Sequence, residues 1–172
     1  GRVREDLIKQ FPFIKDVTIS KNLLESSANV SYAPRQAHFL WCKNESCFLV
    51  DKEGIIFESS DIIQTNLLVS VNDIYFQDVL VGKKIPFLYV SGMLAIENFF
   101  TSRGLKLRVF LIKASFSLYA ILEPGVEARF TMQKPIEEQL EKLGVFLSSH
   151  SPAYIHKLMY IDLRVQDRIY YK

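Results

Sequence analysis

The polar–apolar period of this chain changes several times, and that constrains the fold more than any single residue does. In several short runs apolar and polar side chains alternate, the period of a half-buried strand. Three stretches depart from it. Val3, Leu7, Ile8 and Phe11 recur at helical spacing opposite Arg4, Glu5, Lys9 and Gln10, up to Pro12. Met93 to Ser102 carries Leu94, Ile96, Phe99 and Phe100 and ends at Arg103-Gly104, a glycine C-cap. Pro135 to Ser148 has proline at its first position, with Ile136, Leu140, Leu143 and Phe146 on one stripe.

Strand-like runs fill the intervals. They are Phe13 to Lys21, Ala28 to Ala33, Ala37 to Trp41, Phe48 to Val50, Ile55 to Phe57, Leu67 to Val71, Phe87 to Val90, Leu105 to Lys113, Phe116 to Leu122 and Val126 to Met132. Asp51-Lys52-Glu53-Gly54 and Glu123-Pro124-Gly125 are turns between runs. The spacing shows neither a repeat nor an alternation of strand with helix, so the reading is α+β in two small parts, the first ending near Ser60.

With 49% hydrophobic and 23% charged residues the chain has the makings of a core and not of a disordered segment. Its 21 Lys and Arg against 19 Asp and Glu leave a net charge of +2 spread along the sequence, without the clustered basic stripe that binds nucleic acid. The longest apolar stretch, Leu105 to Leu122, is interrupted by Lys106, Arg108 and Lys113, so no membrane span is expected. The first residue is Gly1, which makes a fragment of a longer protein the expectation.

Motifs with catalytic chemistry are missing: no glycine-rich phosphate loop, no Gly-x-Ser-x-Gly, no His-Glu-x-x-His. His38 lies in a strand-like run and His150 and His156 flank Ser151-Pro152 in a loop, and nothing near them forms a set of nucleophile, base and orienting group. Glu137, Glu138 and Glu141 read as a solvated helix surface. Cys42 and Cys47, with His38 alone nearby, cannot supply a zinc site. They flank Lys43-Asn44-Glu45-Ser46 as the turn of a hairpin, where they are either a cross-strand disulfide or two free thiols. No catalytic residue, metal or cofactor is therefore expected.

The C-terminus is denser in information. Ile161, Leu163 and Val165 alternate with Asp162 and Arg164, and Ile169 and Tyr171 alternate with Arg168, Tyr170 and Lys172. This is two strands or one bent strand at a sheet edge, where unpaired backbone groups can receive a partner strand.

Ile161-Asp162-Leu163-Arg164 followed by Asp167-Arg168-Ile169-Tyr170 and Lys172 resembles the closing signature of the bacterial cell-division family FtsQ/DivIB. Phe11 to Val17 resembles the start of that family's first domain, and Phe48-Leu49-Val50-Asp51-Lys52-Glu53-Gly54-Ile55-Ile56-Phe57 its Val-Asp-x-x-Gly-x-Val-Phe hairpin. The resemblance implies a POTRA-type domain over residues 1–60, lacking its opening strand and helix, and a β-domain over 61–172. It implies the extracytoplasmic part of a single-pass inner-membrane protein, a non-enzymatic scaffold of septum formation that binds FtsB and FtsL. Strand addition at the last strand would make Arg164, Val165, Arg168, Tyr170 and Lys172 the partner-binding residues. Two positions depart from the pattern: Leu23-Leu24-Glu25-Ser26-Ser27 replaces a proline-bearing turn, and Val165 stands where some members have an aromatic residue. An extracytoplasmic, oxidising location favours a Cys42–Cys47 disulfide. The alternatives are a POTRA-bearing peptide-binding module of outer-membrane assembly and an enzyme whose site is built from Asp, Tyr and Arg.

Overall fold

The computed structural model describes residues 2–22, 26–60 and 68–172. Leu23-Leu24-Glu25 of the expected turn and Leu67 of an expected strand lie outside them. The class is α+β, as the changing period predicts: four helices and two sheets among the described residues.

Helix α1 (Arg2–Gln10) leads through Pro12 into strands β1 (Ile14–Asn22) and β2 (Ser27–Pro34), which form a two-stranded antiparallel sheet. No residue of α1 is buried, and every residue of β2 is exposed; Ile14 and Val17 are the buried residues of β1. A lone two-stranded ribbon is marginal by itself. Here ion pairs tie it to the rest: Arg4 bonds Asp16 at 2.6 Å, and Lys15 bonds Glu53 at 2.9 Å.

All other strands belong to one nine-stranded mixed sheet. Strands β3 (Phe39–Lys43), β4 (Ser46–Val50) and β5 (Ile56–Ser60) precede β6 (Val69–Asp73). Helix α2 (Phe87–Thr101) leads to β7 (Leu107–Ile112), β8 (Ser117–Leu122) and β9 (Glu127–Thr131). Helices α3 (Ile136–Ser149) and α4 (Pro152–Ile155) lead to β10 (Tyr160–Asp162) and β11 (Tyr170–Tyr171). The spatial order is β11-β10-β9-β8-β7-β6-β3-β4-β5.

Strand pairing continues past Ser60, since β3 pairs with β6 in parallel register, while β2 and β3 belong to different sheets. Two expectations are corrected here. The chain also holds two strand–helix–strand crossovers, since β6 pairs in parallel with β7 around α2 and β9 with β10 around α3 and α4. Parallel neighbours need such a crossover, and the shortness of β6 and β10 hides it from the sequence. Finally, Phe87 to Val90 opens α2 rather than forming a strand, with Pro86 at the N-cap.

The strand registers identify the core face directly. Trp41, Val71, Phe110, Ala120, Ala128 and Ile161 lie opposite one another across six strands, all of them fully buried. Met93, Ile96 and Phe100 of α2 and Leu140, Leu143 and Phe146 of α3 close over this row. Burying each such side chain stabilises by roughly 1.5–3 kcal/mol. The one polar atom of Trp41 is satisfied: its indole N–H donates to Asp73 at 3.0 Å.

Between Pro34 and Phe39 the chain crosses from the ribbon to the sheet. Arg35, its side chain 8% exposed, donates to the Pro12 carbonyl, to Asp51 at 2.5 Å and to Glu53 at 3.1 Å. Asp51 also accepts the backbone N–H groups of Glu53 and Ile55 and so holds the β4–β5 turn. At that turn Gly54 has φ +83°, and a Cβ there would meet the Ile85 carbonyl and Val90 at 2.9 Å.

Candidate functional site

Side chains one residue out of step with the core row occupy the opposite face of the sheet. Near its β11 end, Leu111, Tyr119, Arg129, Asp162 and Tyr170 are cross-strand neighbours in that order. These side chains are not covered by the α2–α3 layer, and Tyr119, Arg129 and Asp162 join Lys113, Glu127, Tyr160 and Arg164 in a connected network. Arg129 donates to Glu127 at 2.5 Å and lies over the Tyr160 ring at 4.0 Å. Arg164 donates to both oxygens of Asp162, at 2.9 and 2.6 Å, and to the Tyr119 hydroxyl at 3.3 Å. Lys113 pairs with Glu127 at 3.3 Å and lies 4.7 Å from the Tyr119 ring centroid.

Electrostatics fix the charge states here. Burial pushes the Asp162 carboxyl up, but the Arg164 side chain, the Arg164 backbone N–H and the Arg129 charge together outweigh it and hold the carboxyl below its usual range. Its bond to Asp162 raises the Arg164 guanidinium further still.

β11 is an edge strand. Its inner side pairs antiparallel with β10, and no strand lies on its outer side among the described residues. Lys172 donates to the Tyr160 carbonyl and accepts from the Tyr160 N–H, both at 3.3 Å. Backbone groups alternate along an antiparallel pair, so the N–H and C=O of Tyr171 point outward, away from β10. The Tyr171 side chain turns to the helical face and meets Phe146 at 5.0 Å and His150 at 6.0 Å between ring centroids. Tyr170, 48% exposed, stands on the opposite face beside Asp162.

The five expected partner residues are therefore divided. Tyr170 and exposed Lys172 flank the open edge. Arg164 is already engaged by Asp162 and Tyr119. Val165, 42% exposed, and Arg168 belong to the loop before β11 rather than to a strand, and Arg168 lines a groove against Lys142 and Phe146 of α3. Lys142 fixes that loop by donating to the carbonyls of Leu163 and Val165. The alternation expected to run through Arg168 breaks because Asp167 takes φ +56°.

Sequence reasoning missed Tyr119, Glu127 and Arg129. Their signal is the outward-facing charge and aromatic content of β8 and β9 at every second position. The histidines are dispersed: His38 bonds Glu97 at 2.7 Å, His150 stacks on Tyr154, and His156 is exposed. Among the described residues no three of His, Cys, Asp and Glu gather as a metal site, and no helix is long and apolar enough to cross a membrane.

Cys42 and Cys47 are joined as a disulfide across β3 and β4, with Cα atoms 4.1 Å apart. The hairpin turn is shorter than expected, two residues, Asn44 and Glu45, because Lys43 already pairs with Ser46.

No family model matches the chain. Among curated proteins it is similar to the cell division protein DivIB of Clostridium acetobutylicum, 29% identical over 102 residues. The match covers 59% of this chain and 40% of that relative's length, and it supports a relationship to a division protein.

Proposed function

We propose that this chain is an extracytoplasmic part of a bacterial division protein, and that it acts as a non-enzymatic scaffold receiving a partner strand along β11. The observation that carries the reading is the open edge itself. The outward N–H and C=O of Tyr171 are free for a ladder, and Tyr170 and Lys172 stand beside it. Main-chain bonds would supply affinity, the Tyr170 ring an apolar contact, and Lys172 a cation for acidic partner residues. The similarity to DivIB directs the choice of partner toward FtsB- and FtsL-like division proteins.

In this reading residues 2–34 are the remainder of a POTRA-type unit and residues 39–172 the partner-binding β-domain. The Arg35 cluster joins them. A membrane anchor would precede α1 in the full protein.

Calorimetric titration with the extracytoplasmic segments of FtsB- and FtsL-like proteins tests it. Tyr170→Ala should weaken binding by about 2 kcal/mol or more, in the range of an aromatic interface anchor. Lys172→Glu should weaken it as well, with a larger loss at low salt. Unchanged affinity in both folded variants would move the partner site off β11.

A further inference from the structure

The outer surface of the helical layer holds a second feature, on the face of the molecule away from the Arg129–Asp162–Arg164 network. An open groove of about 890 Å³ runs between α2 and α3, its floor formed by Phe99, Leu140 and Gly144. Val145 stands on its border 72% exposed, beside the α3 stripe of Glu137, Glu141, Gly144 and Ser148. These positions lie on one helix face by their three- and four-residue spacing.

The charges along this groove are separated rather than paired. Glu137 and Glu141 occupy the N-terminal half of α3 and have no ion-pair partner among the described residues. Four residues apart, they repel one another along the helix. Arg103 lies at the level of Gly144, 3.4 Å from where a Cβ would sit, and likewise has no carboxylate partner among the described residues. Its guanidinium lies over the Phe99 ring, 3.7 Å from the centroid, and donates to the Phe99 carbonyl at 3.3 Å. The cation is thus positioned in advance.

From this arrangement we infer that the α2–α3 groove is the interface of a symmetric dimer of this chain, its occupant the α3 helix of a second copy. An antiparallel α3 about a two-fold axis between the levels of Glu141 and Gly144 makes the surface complementary to itself. Glu141 of each copy then meets Gly144 and Arg103 of the other, while Val145 of each covers the apolar floor near Leu140 of the other. Isologous contact of this kind uses every pairing twice. The missing side chain at Gly144 makes room for Arg103 and Phe99 of the same chain, which sets the guanidinium at the level where Glu141 of the other copy arrives. The proposal does not depend on the division reading, and it leaves β11 open in both copies.

Sedimentation of the 172-residue chain over about a hundredfold range of concentration provides the test, with a modest interface of this kind expected to give a weak, reversible dimer. Val145→Glu should abolish it while circular dichroism shows an unchanged fold. Arg103→Glu and Glu141→Arg should each raise the dimer dissociation constant at least tenfold. The two changes combined should restore the parent value to within a few-fold, a rescue that general destabilisation does not produce. A chain monomeric at every concentration overturns the proposal, as does a dimer indifferent to the single charge reversals or not recovered by the double one.

Discussion

Asp162 and Arg164, two residues apart at the end of β10, are joined by parallel hydrogen bonds: Nε donates to Oδ1 at 2.9 Å and Nη2 to Oδ2 at 2.6 Å. The backbone N–H of Arg164 donates to the same carboxylate at 3.1 Å. The guanidinium is thereby committed to the fold, closing the chain after β10 and reaching Tyr119 on β8.

That commitment has a pH signature. The Asp162 carboxyl is held below its unfolded value, although burial alone would raise it. A depressed carboxyl contributes stability that is fully present above the unfolded pKa, near about 4, and is lost as pH falls through the folded one. Asp162→Asn should cost about 2 kcal/mol near neutral pH, as for hydrogen bonds to a charged group. The difference from the parent should shrink by about pH 3. Denaturant titrations at the two pH values read it, and an equal gap at both would remove Asp162 as its source.

A proline scan of β11 separates fold from recognition. Tyr171→Pro removes an N–H that points away from β10, so the melting temperature should change little while binding of an FtsB-like segment falls. Tyr170→Pro removes the inward N–H and should loosen β11 itself. Calorimetry and melting curves on the same samples resolve the two; equal effects at both positions would contradict the outward orientation of Tyr171.

At the other side of the sheet, Arg35→Ala leaves Asp51 buried with its cation gone. Losing one partner of a buried pair costs about 3 kcal/mol or more. Hydrogen exchange should quicken in β1 and β2 ahead of β7 to β9, because the ribbon loses its tie to the β4–β5 turn. Uniform acceleration across both sheets would argue against a local role for Arg35.

The Cys42–Cys47 link closes a very short loop, so its effect on the unfolded chain is small, below the ~3 kcal/mol of a 15-residue loop. Cys42→Ser with Cys47→Ser should melt within a few degrees of the parent. Denatured, unreduced parent should show no thiol reactive to a labelling reagent, and two labelled thiols would count against the link.

What the sequence made legible follows from how local each signal is. β7, β8, β9 and α3 stand within two residues of their expected bounds, because their periodicity and turn residues sit inside each segment. The edge position of the last strand, expected from its place as the final run of the sequence, also stands. α2 was recognised only from Met93 onward, since Phe87 to Val90 is apolar at every position and carries neither period. Parallel pairing of β3 with β6 and of β9 with β10 was hidden, as was the contact between Tyr119 and Arg164, 45 residues apart. Such pairings depend on register across the sheet, which no single segment encodes. Arg168 was misplaced by one left-handed residue, Asp167.

The Arg35 junction and the β11 edge stand on opposite sides of the nine-stranded sheet. Seven strand spacings separate β4 from β11 in the order given above, which at about 4.8 Å each amounts to roughly 35 Å. The sheet is in this respect a spacer: whatever holds the N-terminal ribbon in place is kept a full domain width from whatever lies along β11, and the two can be occupied together without touching.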